Sequence, residues 1–335
     1  MHLPITQRSI NCLALALFGA ALVAYGKQRD PLPSWTEGPN KASIIEFVET
    51  VTTPGSPKFV PESRRIAAID NDGTLWTEQP LYFQALYLLQ RIKEIAPEHP
   101  EWKTKEPFAS VLQGNLKKAL SGGEKALLEM TLATHAGLTE DEFSDSVRRF
   151  LSSARHPTTG HLLTDMVYQP MLELLDFLKA NNFKVFIVSG GGIEFVRIFS
   201  ENLYGIPPER VVGSSLDAKY EFRDGQPVIV KQASIDLIDD HAGKPVGIHR
   251  YIGRRPILAI GNSDGDFEML EYVTTGDGPR LGMIIHHDDP EREFAYDRDS
   301  SIGRSARVLD EGPQRGWKII SMQSDWKVIH PEEKK

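Results

Sequence analysis

Short apolar runs that end on Asp, Ser or Gly alternate along this chain with stretches whose apolar residues recur every three or four positions. Runs of the first kind, at residues 65–70, 183–189, 211–216, 256–261 and 281–285, are too short for helices. They read as strands buried on both faces of a parallel sheet, with function at their C-terminal ends. Stretches of the second kind, at 171–180, 193–203 and 267–272, predict the helices that connect them. From residue 80 to 164 the strand pattern lapses, and helices are predicted at 81–95, 108–119, 124–134 and 140–153. The last of these opens on Thr139 followed three residues later by Glu142, a reciprocal capping signal. Residues 220–230 carry an Asp-Gly turn between β-rich arms and predict a hairpin. The pattern as a whole predicts an α/β fold: a doubly wound core around a parallel sheet, interrupted by an inserted α-helical cap.

The ends of the chain add to this division. Residues 27–63 are rich in Pro and polar residues around one amphipathic stretch at 41–51, and read as a leader wrapping the core. Beyond residue 290, Trp317 and Trp326 lie among β-rich residues and are expected to pack on the core. The organisation is therefore a core of 64–79 and 165–335 with a cap of 80–164. At the N-terminus, Arg8 precedes an apolar run at 13–24 that is short for a membrane span and exits through Ala24-Tyr25-Gly26. This reads as a signal peptide, residues 1–26, cleaved before Lys27, with an uncleaved anchor as the alternative. The single cysteine, Cys12, lies within it. The expected location is periplasmic or secreted, with no stable membrane association once the signal is removed. The 335 residues carry a net charge of −8, which excludes the basic footprint of a nucleic-acid binder. Any phosphate site must be built locally.

Four features lie beside predicted strands. Asp70-Asn-Asp72-Gly-Thr74 follows the first and Ser189-Gly190-Gly-Gly192 the second. Lys244 stands just before the strand that ends in Gly261-Asn262-Ser-Asp264-Gly-Asp266. C-terminal strand ends of an open parallel sheet share one crevice, so these features converge. Their order and context resemble the haloacid dehalogenase superfamily, in its phosphoserine-phosphatase-like branch with a helical cap, over roughly residues 64–290.

The resemblance implies a Mg²⁺-dependent phosphomonoester hydrolase acting on a small phosphorylated substrate. A carboxylate nucleophile, Asp70, splits ester hydrolysis into two easier steps through an acyl phosphate. A second carboxyl two residues on, Asp72, faces the same way on extended backbone and can protonate the leaving group, then deprotonate water. Ser189 and Gly190, with Thr74, are implied as phosphate-binding residues. Lys244 supplies a cation to the transferred group, with Lys231 as its competitor. The implied metal ligands are Asp70, the Asp72 carbonyl, and the loop of Asn262 and Asp266. That loop departs from the family pattern, which has Asp at the position of Asn262. Either Asn262 coordinates weakly, or Asp264 or Asp266 takes its place. The departure motivates one alternative, a non-catalytic binding protein on a decayed scaffold. Another chemistry of the superfamily, such as C–P cleavage, is the second alternative. The substrate is not encoded legibly. Trp76, Glu78, Tyr82 and Gln84 follow the first motif closely enough to face the site, with core packing the alternative for Trp76 and Tyr82. The adjacent His286 and His287 end a predicted strand and could border the crevice, but they point to opposite faces, are a poor metal pair, and are given no role.

Overall fold

The structure is a computed structural model and describes residues 30–331; the expected signal peptide lies outside them. Seven strands form one sheet: β1 (Ile66–Ile69), β2 (Lys184–Gly192), β3 (Val211–Arg223), β4 (Gln226–Leu237), β5 (Leu258–Gly261), β6 (Leu281–His286) and β7 (Lys318–Ser321). Their order is β4-β3-β2-β1-β5-β6-β7. Every neighbouring pair is parallel except β3 with β4. The central strand β1 aligns Ile69 with Ile187 on one side and Ile260 on the other. All four of its residues are buried, as a strand covered on both faces requires.

The side-chain period of two sorts these strands onto two apolar layers. Ala67, Ile69, Val185, Ile187 and Ile260 enter the larger cluster, together with the helices Pro39–Thr52, Gln169–Ala180 and Ile193–Tyr204. Ala68, Val188, Val212, Ala259 and Ile284 enter the other, beneath helix Phe267–Thr274 and residue Val308 of helix Ala306–Glu311. Helices thus cover both faces, and the α/β core with inserted helices is the fold expected from the pattern. Among the described residues no helix is long and apolar enough to cross a membrane.

The helices inserted between β1 and β2 partly form a cluster of their own, with Leu88, Ile92, Trp102, Phe108 and Met130 at its centre. Helix Glu140–Leu151 instead packs Phe143, Val147 and Phe150 into the main cluster. Its capping box is formed: Glu142 N–H donates to Thr139 Oγ1 at 3.2 Å, and Thr139 N–H donates to Glu142 Oε2 at 2.8 Å. The single helix predicted at 108–119 is two, Phe108–Leu112 and Leu116–Ala119. Gly114, at φ +76°, breaks it, and Asn115 recaps it by accepting from Lys118 N–H at 3.1 Å. The hairpin is longer than predicted, since β3 runs without interruption from the core strand into the turn at Asp224-Gly225. Residues 217–219, which join the predicted strand to the predicted hairpin, carry too little apolar signal to be read as strand, because that stretch leaves the core and is exposed. The C-terminal tail packs as expected: Trp317 lies edge-on to Phe267 and Trp326 edge-on to Trp35.

Candidate active site

The C-terminal ends of β1, β2 and β5 open onto one crevice. Asp70 follows β1 directly, and its N–H donates to Ile260 O of β5 at 2.9 Å. The backbone then turns on Asn71, whose carbonyl accepts from Thr74, Leu75 and Trp76 N–H groups. Gly73 sits in the turn at φ +71°, and a Cβ there would come within 2.1 Å of Asn262 Nδ2. Only glycine allows both the conformation and the approach of β5's loop. Trp76 locks the turn from below. It stacks on Phe199 at 4.4 Å, and its indole N–H donates to Asp72 Oδ1 at 2.8 Å. Trp76 is therefore core packing and orients Asp72 at the same time.

Lys244 enters from the short helix Gly243–Gly247 and is 2% exposed. Its three N–H donors have three acceptors: Asp70 Oδ1 and Asp266 Oδ1, each at 2.6 Å, and Val188 O at 2.9 Å. Burial alone would depress its ammonium, but the carboxylates of Asp266, Asp70 and Asp240 outweigh burial and hold it charged. Lys231 is elsewhere. It pairs with Glu194 at 2.5 Å and lies over the Phe143 ring. The geometry thus brings Lys244, not Lys231, to Asp70.

The loop after β5 presents three side chains in different ways. Asp266 accepts from Lys244 through Oδ1, and from Asn262 N–H and Ser263 N–H through Oδ2 at 2.9 and 3.0 Å. It therefore fixes both the lysine and the loop. Asp264 turns outward and caps helix Ala306–Glu311, accepting from Arg307 and Val308 N–H at 2.7 and 3.0 Å. Asn262 faces inward, with Oδ1 at 3.3 Å from Thr74 Oγ1, which is itself 3.4 Å from Asp70 Oδ2. Thr74 has one hydroxyl proton and serves one of these acceptors at a time.

On the β2 side the glycine run differs from a free helix N-terminus. The strand continues through Gly192, with a register shift between Ser189 and Gly192, and the helix begins only at Ile193. Gly191 N–H donates to Ser189 Oγ at 3.1 Å, and Gly192 N–H donates to Gln84 Oε1 at 2.7 Å. Gln84 comes from the inserted helix Phe83–Ile95 and so ties the insertion to this turn. A Cβ at Gly191 would lie 3.3 Å from Ser189 Oγ and 3.6 Å from Asp72 Oδ2, which places the turn beside Asp72.

Residues 287–303 close the opposite side, and in their sequence pattern only His287, next to a predicted strand end, stands near the crevice. His287 is buried, with Nε2 at 2.7 Å from Gly73 O and Nδ1 at 3.3 Å from Glu293 Oε2. Lying between two acceptors, it pins the first motif's turn to the C-terminal segment; burial opposes its charge, and Glu293 more than offsets this. Glu78, 2% exposed, accepts from Asn262 Nδ2 and from the Tyr296 hydroxyl, both at 2.6 Å. Tyr82 brings its hydroxyl to Gly303 N–H at 3.4 Å.

The crevice holds more buried negative charge than its one lysine balances. Burial and the Asp266 charge hold Asp70 well above the usual carboxylate range, with Lys244 offsetting only part. Burial likewise raises Asp72 against the indole bond from Trp76, and raises Glu78 to about 7. This surplus suits a divalent cation. Among the described residues no three His, Cys, Asp or Glu side chains converge as a metal cage. A mixed donor set of one carboxylate, a carbonyl and an amide oxygen fits Mg²⁺, which takes few protein ligands and keeps waters and substrate phosphate.

The sequence profile of the haloacid dehalogenase-like hydrolases matches residues 67–271, which span both carboxylate motifs, the glycine turn and Lys244. The chain belongs to this family. No curated protein matches this haloacid dehalogenase-like chain in sequence. Among solved structures it is similar to a protein of unknown function from Bordetella pertussis Tohama I, with 16% identity over 77% of this chain and 98% of that one, at a TM-score of 0.48. A phosphoserine phosphohydrolase-like protein from Francisella tularensis shares 18% identity over 75% of this chain and 98% of its own, at 0.39. A probable phosphoserine phosphatase from Vibrio cholerae shares 17% over 77% and 68%, at 0.36. Likenesses this distant do not bear on substrate or chemistry.

Proposed function

We propose that the chain is a Mg²⁺-dependent phosphomonoesterase working through an aspartyl-phosphate on Asp70. The observation that carries this reading is the bridge from Lys244 to both Asp70 and Asp266 at 2.6 Å, beside a second carboxyl held by Trp76. Asp70 attacks phosphorus; a P–O bond forms to its carboxylate as the bond to the ester oxygen breaks. Asp72, raised by burial, carries the proton that the leaving alkoxide takes. Water then attacks the acyl phosphate and gives its proton to Asp72, which releases inorganic phosphate and restores both carboxyls. Lys244 neutralises the anion gathered at Asp70 through both steps. Ser189, Gly190 and Thr74 are the proposed contacts to the phosphoryl oxygens. Asp70, the Asp72 carbonyl and Asn262 would hold the cation, with Asp266 acting through Lys244 and the loop backbone. Bound there, Mg²⁺ supplies charge neutralisation for the phosphoryl group.

The substrate class proposed is a small phosphorylated metabolite, a reading supported by the way the inserted helices and the C-terminal segment crowd the crevice through Gln84, Tyr82 and Tyr296. The phosphoserine-phosphatase-like branch is supported by the helical insertion between the first two motifs. An aryl phosphate assay tests the reading: turnover should vanish in EDTA and return with Mg²⁺. Full turnover by protein shown metal-free by elemental analysis would overturn it.

A further inference from the structure

The departure at Asn262 has a counterpart across the crevice. Asn262 Nδ2 donates to Glu78 Oε1 at 2.6 Å, and that same oxygen accepts from the Tyr296 hydroxyl at 2.6 Å. Room for the carboxylate is made by two glycines. A Cβ on Gly73 would lie 2.5 Å from Glu78 Oε1, and one on Gly303 only 1.9 Å from it. Glu78 is thus held in a fitted slot between the first motif's turn and the C-terminal segment. Both of its hydrogen-bond partners among the described residues are neutral. Burial on neutral donors is costly for a carboxylate, and the charged His287 nearby relieves only part of that cost, so a further cation in its surroundings would stabilise it.

An asparagine amide can be turned either way, and its neighbours decide which. As a carboxylate Glu78 can only accept, so in that form it takes the N–H₂ end and directs Oδ1 toward Thr74 and Asp70, where the cation is expected. We infer that Glu78 and Asn262 act as one unit, in which Glu78 orients the Asn262 amide oxygen toward the cation and supplies the negative charge that asparagine lacks. Glu78 is a positioning residue in this account, acting through Asn262. The inference rests on the Mg²⁺ reading above. It implies that the charge and the ligating oxygen, which one aspartate would combine, are divided here between two side chains that can be exchanged.

The test is Mg²⁺ affinity by titration calorimetry on the purified mature chain, with no substrate and no turnover. Glu78→Gln is close to isosteric but uncharged, and its amide can flip Asn262. It should weaken Mg²⁺ about 10–100-fold, the usual cost of losing a group that supports a metal ligand. The exchanged pair, Glu78→Gln with Asn262→Asp, returns a carboxylate to position 262 and lets the new amide at position 78 donate to it. It should recover wild-type affinity to within about threefold. If the wild type binds no Mg²⁺, the metal reading itself fails. If the wild type binds and Glu78→Gln binds equally well, the inference fails and the metal reading stands. If the exchanged pair stays as weak as Glu78→Gln while melting like the wild type, Glu78 serves packing alone and the inference is overturned. Should Glu78→Gln fold poorly, the exchanged pair alone decides, by its affinity against the wild type.

Discussion

Replacing Lys244 with methionine keeps its length and removes its charge, and both stability and rate should respond. Lys244 is 2% exposed and satisfies two carboxylates and a carbonyl. Its loss leaves Asp70 and Asp266 facing each other with no cation between them. Breaking a buried ion pair by removing one partner costs about 3–5 kcal/mol, because the abandoned charge stays buried. For a chain of this size that lowers Tm by roughly 5–8 °C, at about 1.5 °C per kcal/mol. Turnover should fall ~10²–10³-fold, the cost of removing one preorganised group that stabilises developing charge. The two effects separate. Adding Asp266→Asn to Lys244→Met removes one of the orphaned carboxylates and should recover much of the Tm but none of the rate. Thermal melts and aryl phosphate turnover at 20 °C, where every variant is folded, read them independently. Lys231→Met, which loses the pair with Glu194 and the cation over Phe143, both away from Asp70, should leave turnover within about tenfold. A Lys244→Met protein with unchanged Tm and turnover, or a larger rate loss in Lys231→Met, would refute the assignment.

Two further outcomes are expected. Asp239 is fully buried, and neither of its oxygens has a hydrogen-bond partner among the described residues. Burial, against partial relief from Lys244, raises it to about 8. Between about pH 4 and 8 the folded chain keeps a proton there that the unfolded chain releases, so stability falls as pH rises through that window. Asp239→Asn removes this dependence; its gain in urea-unfolding free energy should be about 3–4 kcal/mol larger at pH 8 than at pH 5, on ~1.36 kcal/mol per unit. An equal gain at both pH values would contradict it. Export, proposed from the apolar run at 13–24, should deliver protein beginning near Lys27 to the periplasm of a Gram-negative host. A cytosolic product retaining Met1 would rule it out.

The convergence of Asp70, Thr74, Lys244, Asn262 and Asp266 was legible because each stands beside an apolar run, and parallel strand ends share one side of a sheet. What the pattern does not carry is which way a loop side chain turns. The resemblance puts Asp266 in register and makes Asp264 an extra, but nothing in the residues themselves separates the two. They part only because helix Ala306–Glu311 offers Asp264 two N–H donors, while Lys244 and the loop's own amides claim Asp266. The contribution of Tyr296 and Gly303, and the role of His287 at the crevice's border, were equally hidden. They lie in irregular chain without period, and His287 finds its partner Gly73 across 214 positions of sequence. Adjacent histidines point to opposite sides of a strand end, which argued against a metal pair. The same geometry is what sends one of them, His287, onto the first motif. The glycine turn was expected to contact phosphate; that its Gly192 N–H donates to Gln84 of the insertion is a contact no local pattern encodes.

The central claim is that phosphate passes through Asp70, and Asp72→Asn exposes it most directly. The indole bond to residue 72 can be kept by an asparagine oxygen, so the turn should survive the change. An aryl phosphate hardly needs a proton to leave, while the second step loses its base, a loss of typically ~10²–10⁴-fold. Rapid mixing should give a burst of about one equivalent of phenol followed by slow turnover, as a stalled second step requires. Mass spectrometry of the quenched protein should then find phosphate on the peptide that contains Asp70. An active wild type with no burst in Asp72→Asn and no phosphate on that peptide would mean that water attacks phosphorus directly, and the account of Asp70 would be wrong.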